Sequence, residues 1–414
     1  MSTAKRTPSR PTHHANNNGT RFINCWPSAG VPTWAELLRA SLPFGRYELD
    51  LHKHRRARDV KVIQPDRGVA GLKNRNLDKA NSIIGTWPGH AGAMVEVPSL
   101  QQAEDKSLWL LFDPIFSMRA GPSPYSGVTR MKKSPCQVDD IPGCDAVFIS
   151  HNHYDHLDWP TIQAISKKFP NTKYFVPLGN KHWMSSSGLP DKQIYELDWW
   201  NDRELRSLDF DQRASDTSEM ESIMKITCVP AQHNSGRGII DQGSTLWCGW
   251  VAERFLCSRD ESAESKVTRR GAIYHAGDTG YRRITKSEVV CPAFNEIGER
   301  FGPFDLSFVP IWRGGSLGFI SYLGLRLSHD DIPSAFHGSP TDAVAIHRDV
   351  KSKNTVGIHF GTFIGSENES HEAVIEFGQA CDLQGVGSLN DEKKNEKGRA
   401  GTLDIGESLA IEIV

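Results

Sequence analysis

The segment from His151 to His156 places four possible metal ligands within six residues, His-Asn-His-Tyr-Asp-His, directly after the apolar run Asp145–Ser150. Side chains two apart in an extended chain share a face, so His151, His153 and Asp155 are expected to converge, with His156 beside them. Imidazole and carboxylate groups in this mixture suit two neighbouring divalent ions such as zinc. The alternative is a histidine-rich surface loop that binds nothing.

Three further predicted strands end directly before a residue of ligand type. They end at Gln232, Gly277 and Ile358, and the next residues are His233, Asp278 and His359. Taken singly, each histidine could be an ordinary core or surface residue, but the repeated arrangement favours metal binding. We therefore predict two zinc ions per chain. The first is held by His151, His153 and His233, the second by Asp155, His156 and His359, and Asp278 bridges both.

Two zinc ions roughly 3.5 to 4 Å apart can hold a bridging hydroxide as the nucleophile of a hydrolysis reaction. Asp155 and Asp278 are counted among the catalytic residues for this reason. The sequence contains no P-loop. His90 and His275 lie near the same predicted strand ends and are predicted to orient the ligands, although buried histidines with ordinary partners are an equal alternative.

Composition sets the class of protein. The chain has 414 residues, 38% hydrophobic and 24% charged, enough for one large two-layered domain or two ordinary ones. A net charge of -2 gives no reason to expect nucleic-acid binding. The eight cysteines form no C-x-x-C pair, which fits a reducing compartment. Because no apolar run reaches the length of a membrane span, we expect a soluble or peripheral protein.

The organisation of the chain follows from its polarity pattern. Residues 1–21 are predicted to be a disordered polar tail, with a short mitochondrial presequence as the alternative, because Met1–Ala35 contains no acidic residue. Residues 22–80 form an N-terminal extension. Residues 81–414 are predicted to form the hydrolase domain, with polar insertions at 205–224, 259–270 and 382–401. Its predicted short elements include strands over 93–97 and 173–177 and a helix over 157–168.

The extension contains a possible membrane-facing helix. Its apolar stripe consists of Trp34, Leu37, Leu38 and Leu42, and the basic residues that follow are Lys53, Arg55, Arg56 and Arg58. The plainer interpretation is a helix that packs on the core, followed by a solvated loop.

Six sequence blocks together resemble the N-acyl-phosphatidylethanolamine-hydrolysing phospholipase D family of the metallo-β-lactamase superfamily. Besides the histidine motif they are Trp87–Ala91, Asp113–Ser117, Pro230–His233, Ala276–Tyr281, Arg300–Leu306 and Ile358–Phe363. The resemblance implies an α+β fold, the four-layer αβ/βα sandwich, with two zinc ions and a homodimer. It also implies a phosphodiester substrate embedded in a membrane, and hence an intracellular enzyme peripheral to an organelle membrane.

The resemblance also implies a role in substrate handling for His337, which precedes the last metal ligand in the block Phe336–Pro340. The chain departs from the family pattern at Phe336 and in the stretch 314–331. The expected activity is hydrolysis of N-acyl-phosphatidylethanolamine to an N-acylethanolamine and phosphatidic acid. Two alternatives remain: a soluble lactonase or sugar-phosphate hydrolase of the same fold, and a non-catalytic lipid-binding protein that keeps zinc as a structural staple.

Overall fold

A computed structural model describes most of the chain. The described residues are 11–30, 44–46, 51–100, 106–210, 219–259, 267–284, 287–312, 323, 325–327, 336–363, 366–391 and 395–413. The predicted stripe from Trp34 to Leu42 and most of the stretch 314–331 lie outside them.

The strands alternate with short helices along the chain. The strands are β1 Phe44–Arg46, β2 Ser82–Thr86, β3 Ala93–Val97, β4 Leu108–Phe112, β5 Arg119–Ala120, β6 Val128–Thr129, β7 Ala146–Phe148, β8 Lys173–Pro177, β9 Ile194–Leu197, β10 Asp202–Arg206, β11 Met220–Val229, β12 Gly249–Ser258, β13 Thr268–His275, β14 Leu306–Pro310, β15 Leu325–Leu327, β16 Asn354–Ile358, β17 Gly387–Ser388, β18 Arg399–Thr402 and β19 Ser408–Glu412. The α-helices are α1 Val69–Arg75, α2 Trp159–Lys168, α3 Lys181–Ser186, α4 Ser207–Phe210, α5 Ala293–Phe301, α6 Pro340–Asp349 and α7 Glu367–Gln384. Among the described helices, none has the length and apolar character needed to span a bilayer.

Two large sheets carry the fold. One has the order β19-β2-β3-β4-β7-β8-β9, antiparallel as far as β4 and parallel from β4 to β9. The other has the order β10-β11-β12-β13-β14-β16-β18-β17, antiparallel as far as β13 and parallel beyond it. Parallel strands must be linked by crossovers, so helices cover the outer faces.

The central strand β7 shows how the layers pack. Its residues are all buried, and alternate side chains point to opposite faces. Phe148 faces the second sheet, where its ring centroid lies 5.7 Å from that of Trp250. Val147 faces the other way and packs with Ile162 and Ile165 of α2. Helix α6 packs on β14 of the second sheet. The order helix, sheet, sheet, helix confirms the predicted α+β four-layer sandwich.

Several predicted elements occur with small changes in their ends. Strands 93–97 and 173–177 have the predicted bounds. The helix predicted over 157–168 begins at Trp159, because a turn occupies the residues before it. The long helix α7 and the long strand β12 were not predicted, since neither carries a ligand and neither shows a simple alternation of polar and apolar residues.

Four ranges predicted from polarity need correction. The tail predicted to be disordered through residue 21 is packed from residue 11, because His13 is buried and contacts Asp198. The predicted insertion 205–224 is narrower than expected, because Leu205 and Met224 are buried partners in paired strands. Likewise, the range 259–270 includes the start of β13, and 382–401 includes the end of α7, β17 and part of β18.

Candidate metal centre

The four ligand-bearing segments meet at one edge of the sandwich. His151 follows β7 of the first sheet, whereas the other three segments follow β11, β13 and β16 of the second. The sheets are joined directly at this edge, since the Trp250 indole N–H donates to the Ile149 carbonyl over 3.0 Å. The site is therefore assembled from both layers.

The histidine motif is a turn and not an extended strand. The His156 N–H donates to the His153 carbonyl over 3.1 Å, and the Leu157 N–H donates to the same oxygen over 2.9 Å. The side chains of the motif converge as predicted, but the cause differs. A reversal of the chain brings them together, and not the alternation of an extended strand. His151 Nε2 lies 2.8 Å from His153 Nδ1.

The first cluster consists of His151, His153 and His233, as the sequence predicts. One nitrogen of each ring lies within 4.8 Å of the others. His233 Nδ1 lies 2.8 Å from the Phe336 carbonyl oxygen. Because a carbonyl only accepts, Nδ1 carries the proton and the lone pair of Nε2 faces the cluster, as metal binding requires.

The second cluster adds one residue to the predicted set. His90 joins Asp155, His156 and His359 within the same 4.8 Å limit. His90 Nε2 lies 2.9 Å from Oδ2 of Asp155, and its ring centroid is 4.3 Å from that of His359. His90 thus lies where it either orients Asp155 or contributes a ligand.

Asp278 lies between the two clusters. Its Oδ2 is 3.1 Å from Nε2 of His156 and of His359, and 3.7 Å from Nε2 of His233. Among the described residues, those three buried nitrogens and Oδ1 of Asp278 have no aligned hydrogen-bond partner. Buried polar atoms of this kind are costly unless something binds them. The residues present therefore fit a pair of metal ions.

The electrostatics of the clusters suit cations. Burial, together with neighbouring imidazoles, holds the pKa of His151 well below its usual value, so the ring is in the neutral form that metals bind. Burial lowers the pKa of His156, but the carboxylates of Asp278, Asp155 and Asp113 outweigh it and raise that pKa well above its usual value. The site is thus short of positive charge, which divalent cations would supply.

Asp113 orients the first ligands, and it was not singled out from the sequence. Its Oδ1 accepts the Ser150 N–H over 2.7 Å, and its Oδ2 accepts the Ser150 hydroxyl over 2.6 Å and the His156 Nδ1–H over 2.8 Å. The sequence signal for such a role was a single acidic residue directly after the apolar strand β4. A buried carboxylate that fixes the tautomer of a ligand histidine also raises its basicity.

We predict that Asp113→Asn weakens metal binding by about 10- to 100-fold. The amide keeps the size of the side chain but removes the charge that holds the His156 proton. Zinc titration with a competing chelator measures the change. An unchanged affinity would show that His156 is oriented by other groups.

The other predicted residues occupy different positions. His275 Nε2 donates to the Ala91 carbonyl over 2.8 Å, and its Nδ1 accepts the Gly277 N–H over 3.2 Å, so it supports the backbone before Asp278 and no ligand side chain. His337 borders the clusters with Nδ1 3.9 Å from Oδ2 of Asp278. Burial lowers the pKa of His337 to about 4, so its ring is neutral before substrate binds.

Unusual backbone conformations coincide with the site. His90, Asp113 and His359 have φ values of 53°, 39° and 63°, which residues other than glycine rarely adopt. The His359 N–H donates to the His90 carbonyl over 2.8 Å, so the two loops hold each other in place. Strain of this kind persists where the surrounding structure enforces it, as at functional sites.

The comparisons with known proteins agree with this geometry. A family model described as beta-lactamase superfamily domain matches residues 108–360. The chain belongs to this superfamily. It is a metal-dependent hydrolase of the metallo-β-lactamase fold, and its histidine and aspartate clusters are candidate metal sites.

Relatives support the resemblance found in the sequence. The chain is 29% identical over 308 residues to N-acyl-phosphatidylethanolamine-hydrolyzing phospholipase D 1 of Caenorhabditis elegans, covering 74% of this chain and 71% of the relative. The mitochondrial phospholipase D of the same name in Saccharomyces cerevisiae is 28% identical, over 62% of this chain and 44% of its own length. Among solved structures, the metallo hydrolase Igni18 of Ignicoccus hospitalis aligns with a TM-score of 0.45 and 17% identity, covering 80% of this chain and 99% of its own.

Proposed function

We propose that this hydrolase is a zinc-dependent phosphodiesterase of the phospholipase D type, which cleaves N-acyl-phosphatidylethanolamine to an N-acylethanolamine and phosphatidic acid. The observation that carries the proposal is the pair of ligand clusters joined by Asp278. Two relatives whose names state this activity support the substrate class.

Each residue of the centre has a defined part in the proposal. The first cluster and the second cluster would each hold one zinc ion, and Asp278 would contact both. When bound, two such ions supply an activated water nucleophile and stabilise negative charge on a phosphoryl group. Asp113 keeps the lone pair of His156 directed at the centre, and the Phe336 carbonyl does the same for His233.

His337 is placed to act on the substrate. It lies beside His233 and His359, with ring centroids 5.1 and 5.3 Å from theirs, and 18% of its side chain is exposed. A partly exposed imidazole at the edge of a buried cluster can reach a phosphodiester held against the ligands. It would either protonate the leaving alkoxide or donate a hydrogen bond to a phosphate oxygen.

We expect the zinc-loaded enzyme to release N-acylethanolamine and phosphatidic acid from mixed phospholipid vesicles. Mass spectrometry of the products tests this, with Asp278→Asn as the inactive control. A panel of lactones and sugar phosphates supplies the competing substrates. Turnover of those compounds with no lipid cleavage would contradict the proposed substrate.

The enzyme is further proposed to act as a homodimer peripheral to an organelle membrane. The basic residues of the extension are only partly available for such a role, because Arg56 pairs with Asp382 and Arg58 with Asp404. Any electrostatic attraction to anionic lipid would then depend more on basic residues that form neither of these two ion pairs. Flotation with anionic vesicles, comparing the full chain with one lacking residues 1–10, tests this dependence, because the deletion removes three basic residues and leaves the packed segment from residue 11 in place.

A further inference from the structure

A second group of side chains of metal-ligand type forms where the N-terminal segment 11–30 meets Asp198, and it shares no residue with the centre. His13 Nε2 is 2.7 Å from Oδ1 of Asp198, and His14 Nε2 is 2.9 Å from Oδ2 of the same carboxylate. The three groups lie within 4.8 Å of one another. Each oxygen of the Asp198 carboxylate thus contacts one imidazole.

The surroundings hold these side chains in fixed positions. The His13 ring stacks on Trp199, with centroids 4.2 Å apart and planes inclined by 27°. The His14 ring meets Phe22 edge-on, with centroids 5.2 Å apart. The backbone N–H of Trp199 donates to Oδ1 of Asp198 over 2.8 Å. Little ordering is then needed before the three groups can bind an ion together.

The donor set of the group suits a shared cation. Two protonated imidazoles with centroids 4.6 Å apart would repel each other. Without metal, two neutral imidazoles can each donate one Nε2–H to a carboxylate oxygen. A divalent ion can replace those two protons, since zinc-type ligands about 2.0 to 2.2 Å from an ion lie roughly 3 Å from each other, close to the separations found here.

We propose that His13, His14 and Asp198 bind a transition-metal ion of the zinc type, separate from the two ions of the hydrolytic centre. Three protein ligands leave room for water on the exposed side, since 12% of the His14 side chain and 17% of the Asp198 side chain remain accessible. The ion fastens the N-terminal segment to the end of β9.

The fastened segment also contacts the hydrolytic centre. The Asn24 side-chain amide donates to the His233 carbonyl over 2.7 Å, and the Ser28 hydroxyl donates to the Gln232 side chain over 2.7 Å. Both contacts support the loop that delivers His233 to the first cluster. The proposed ion thus has a structural role, because it keeps these two contacts to the His233 loop in place.

Metal content tests the proposal. Wild type and His13→Ala/His14→Ala are loaded with zinc, freed of excess metal by gel filtration and analysed by inductively coupled plasma mass spectrometry. We expect the double variant to hold one equivalent less per chain. Asn24→Ala, which removes a contact to the His233 loop but keeps His13, His14 and Asp198, measures any further loss of zinc at the hydrolytic centre. His52→Ala/His54→Ala is the matched control, since it removes two histidines outside the cluster, and its zinc content should equal that of wild type.

Asp198→Asn provides a second test that keeps the volume of the side chain, in case the double variant does not fold. It should lose the same equivalent of zinc. Equal zinc in wild type and in the folded variants would overturn the proposal and would show that the three groups form an ion pair without metal. The result is independent of substrate identity, because no step of it measures hydrolysis.

Discussion

Asp278→Asn should lose metal and hydrolytic activity together. The Asp278 carboxylate is placed against both clusters, with Oδ2 3.1 Å from Nε2 of His156 and of His359 and 3.7 Å from Nε2 of His233. An amide keeps the shape of the side chain but removes the charge shared by the two ions. Metal ions contribute several kcal/mol to the stabilisation of a phosphoryl-transfer transition state, so the rate should fall on the order of 10³-fold or more.

Metal analysis and hydrolysis are measured on the same preparation of Asp278→Asn. Burial raises the pKa of this carboxyl, but the imidazoles of His156 and His359 outweigh it and hold the pKa well below its usual value, so the wild-type group is charged at neutral pH. Asp191→Asn is the control, because Asp191 is exposed and pairs with Lys181 away from the clusters. Two full equivalents of metal in Asp278→Asn would show that Asp278 is not shared between ions.

The candidate ligands could be predicted from sequence because the first residue of each ligand segment comes shortly after an apolar strand. Strands β11, β13 and β16 run in the same direction, so their carboxyl ends lie at a common edge of the second sheet. The turn at His153 could not be read in the same way. It depends on hydrogen bonds from residues 156 and 157 to one carbonyl, which no residue type in the motif requires.

Contacts between segments far apart in the chain could not be predicted from the sequence either. Asp113 reaches His156 because β4 and β7 pair in parallel with Phe112 opposite Phe148, and the register of two strands is a property of the whole sheet. His13 and Asp198 are 185 residues apart, and the polarity of residues 1–21 pointed to disorder. Burial of a few side chains, among them His13, orders this segment from residue 11 despite its polar composition.

The effect of replacing His337 will separate substrate handling from metal binding. We expect His337→Ala to lower kcat by about 10² to 10⁴ on the natural lipid with metal content intact, because a general acid contributes a factor of this size. Its Nδ1 lies 3.9 Å from Asp278, farther than any of the three ligand histidines. The ligands should behave differently and lose metal and rate together. His182→Ala, at an exposed histidine, is the control.

An aryl phosphodiester with an activated leaving group distinguishes the two roles of His337. Such a leaving group departs without a proton, so a general acid becomes dispensable, whereas a hydrogen bond to phosphate does not. A neutral imidazole must first gain a proton to act as an acid, but it can donate a hydrogen bond as it stands. Recovery of the rate of His337→Ala on the aryl substrate would therefore assign proton donation, and a persistent loss would assign the phosphate contact. Undiminished activity of His337→Ala on the natural lipid would remove this residue from the mechanism and direct attention to the stretch 314–331.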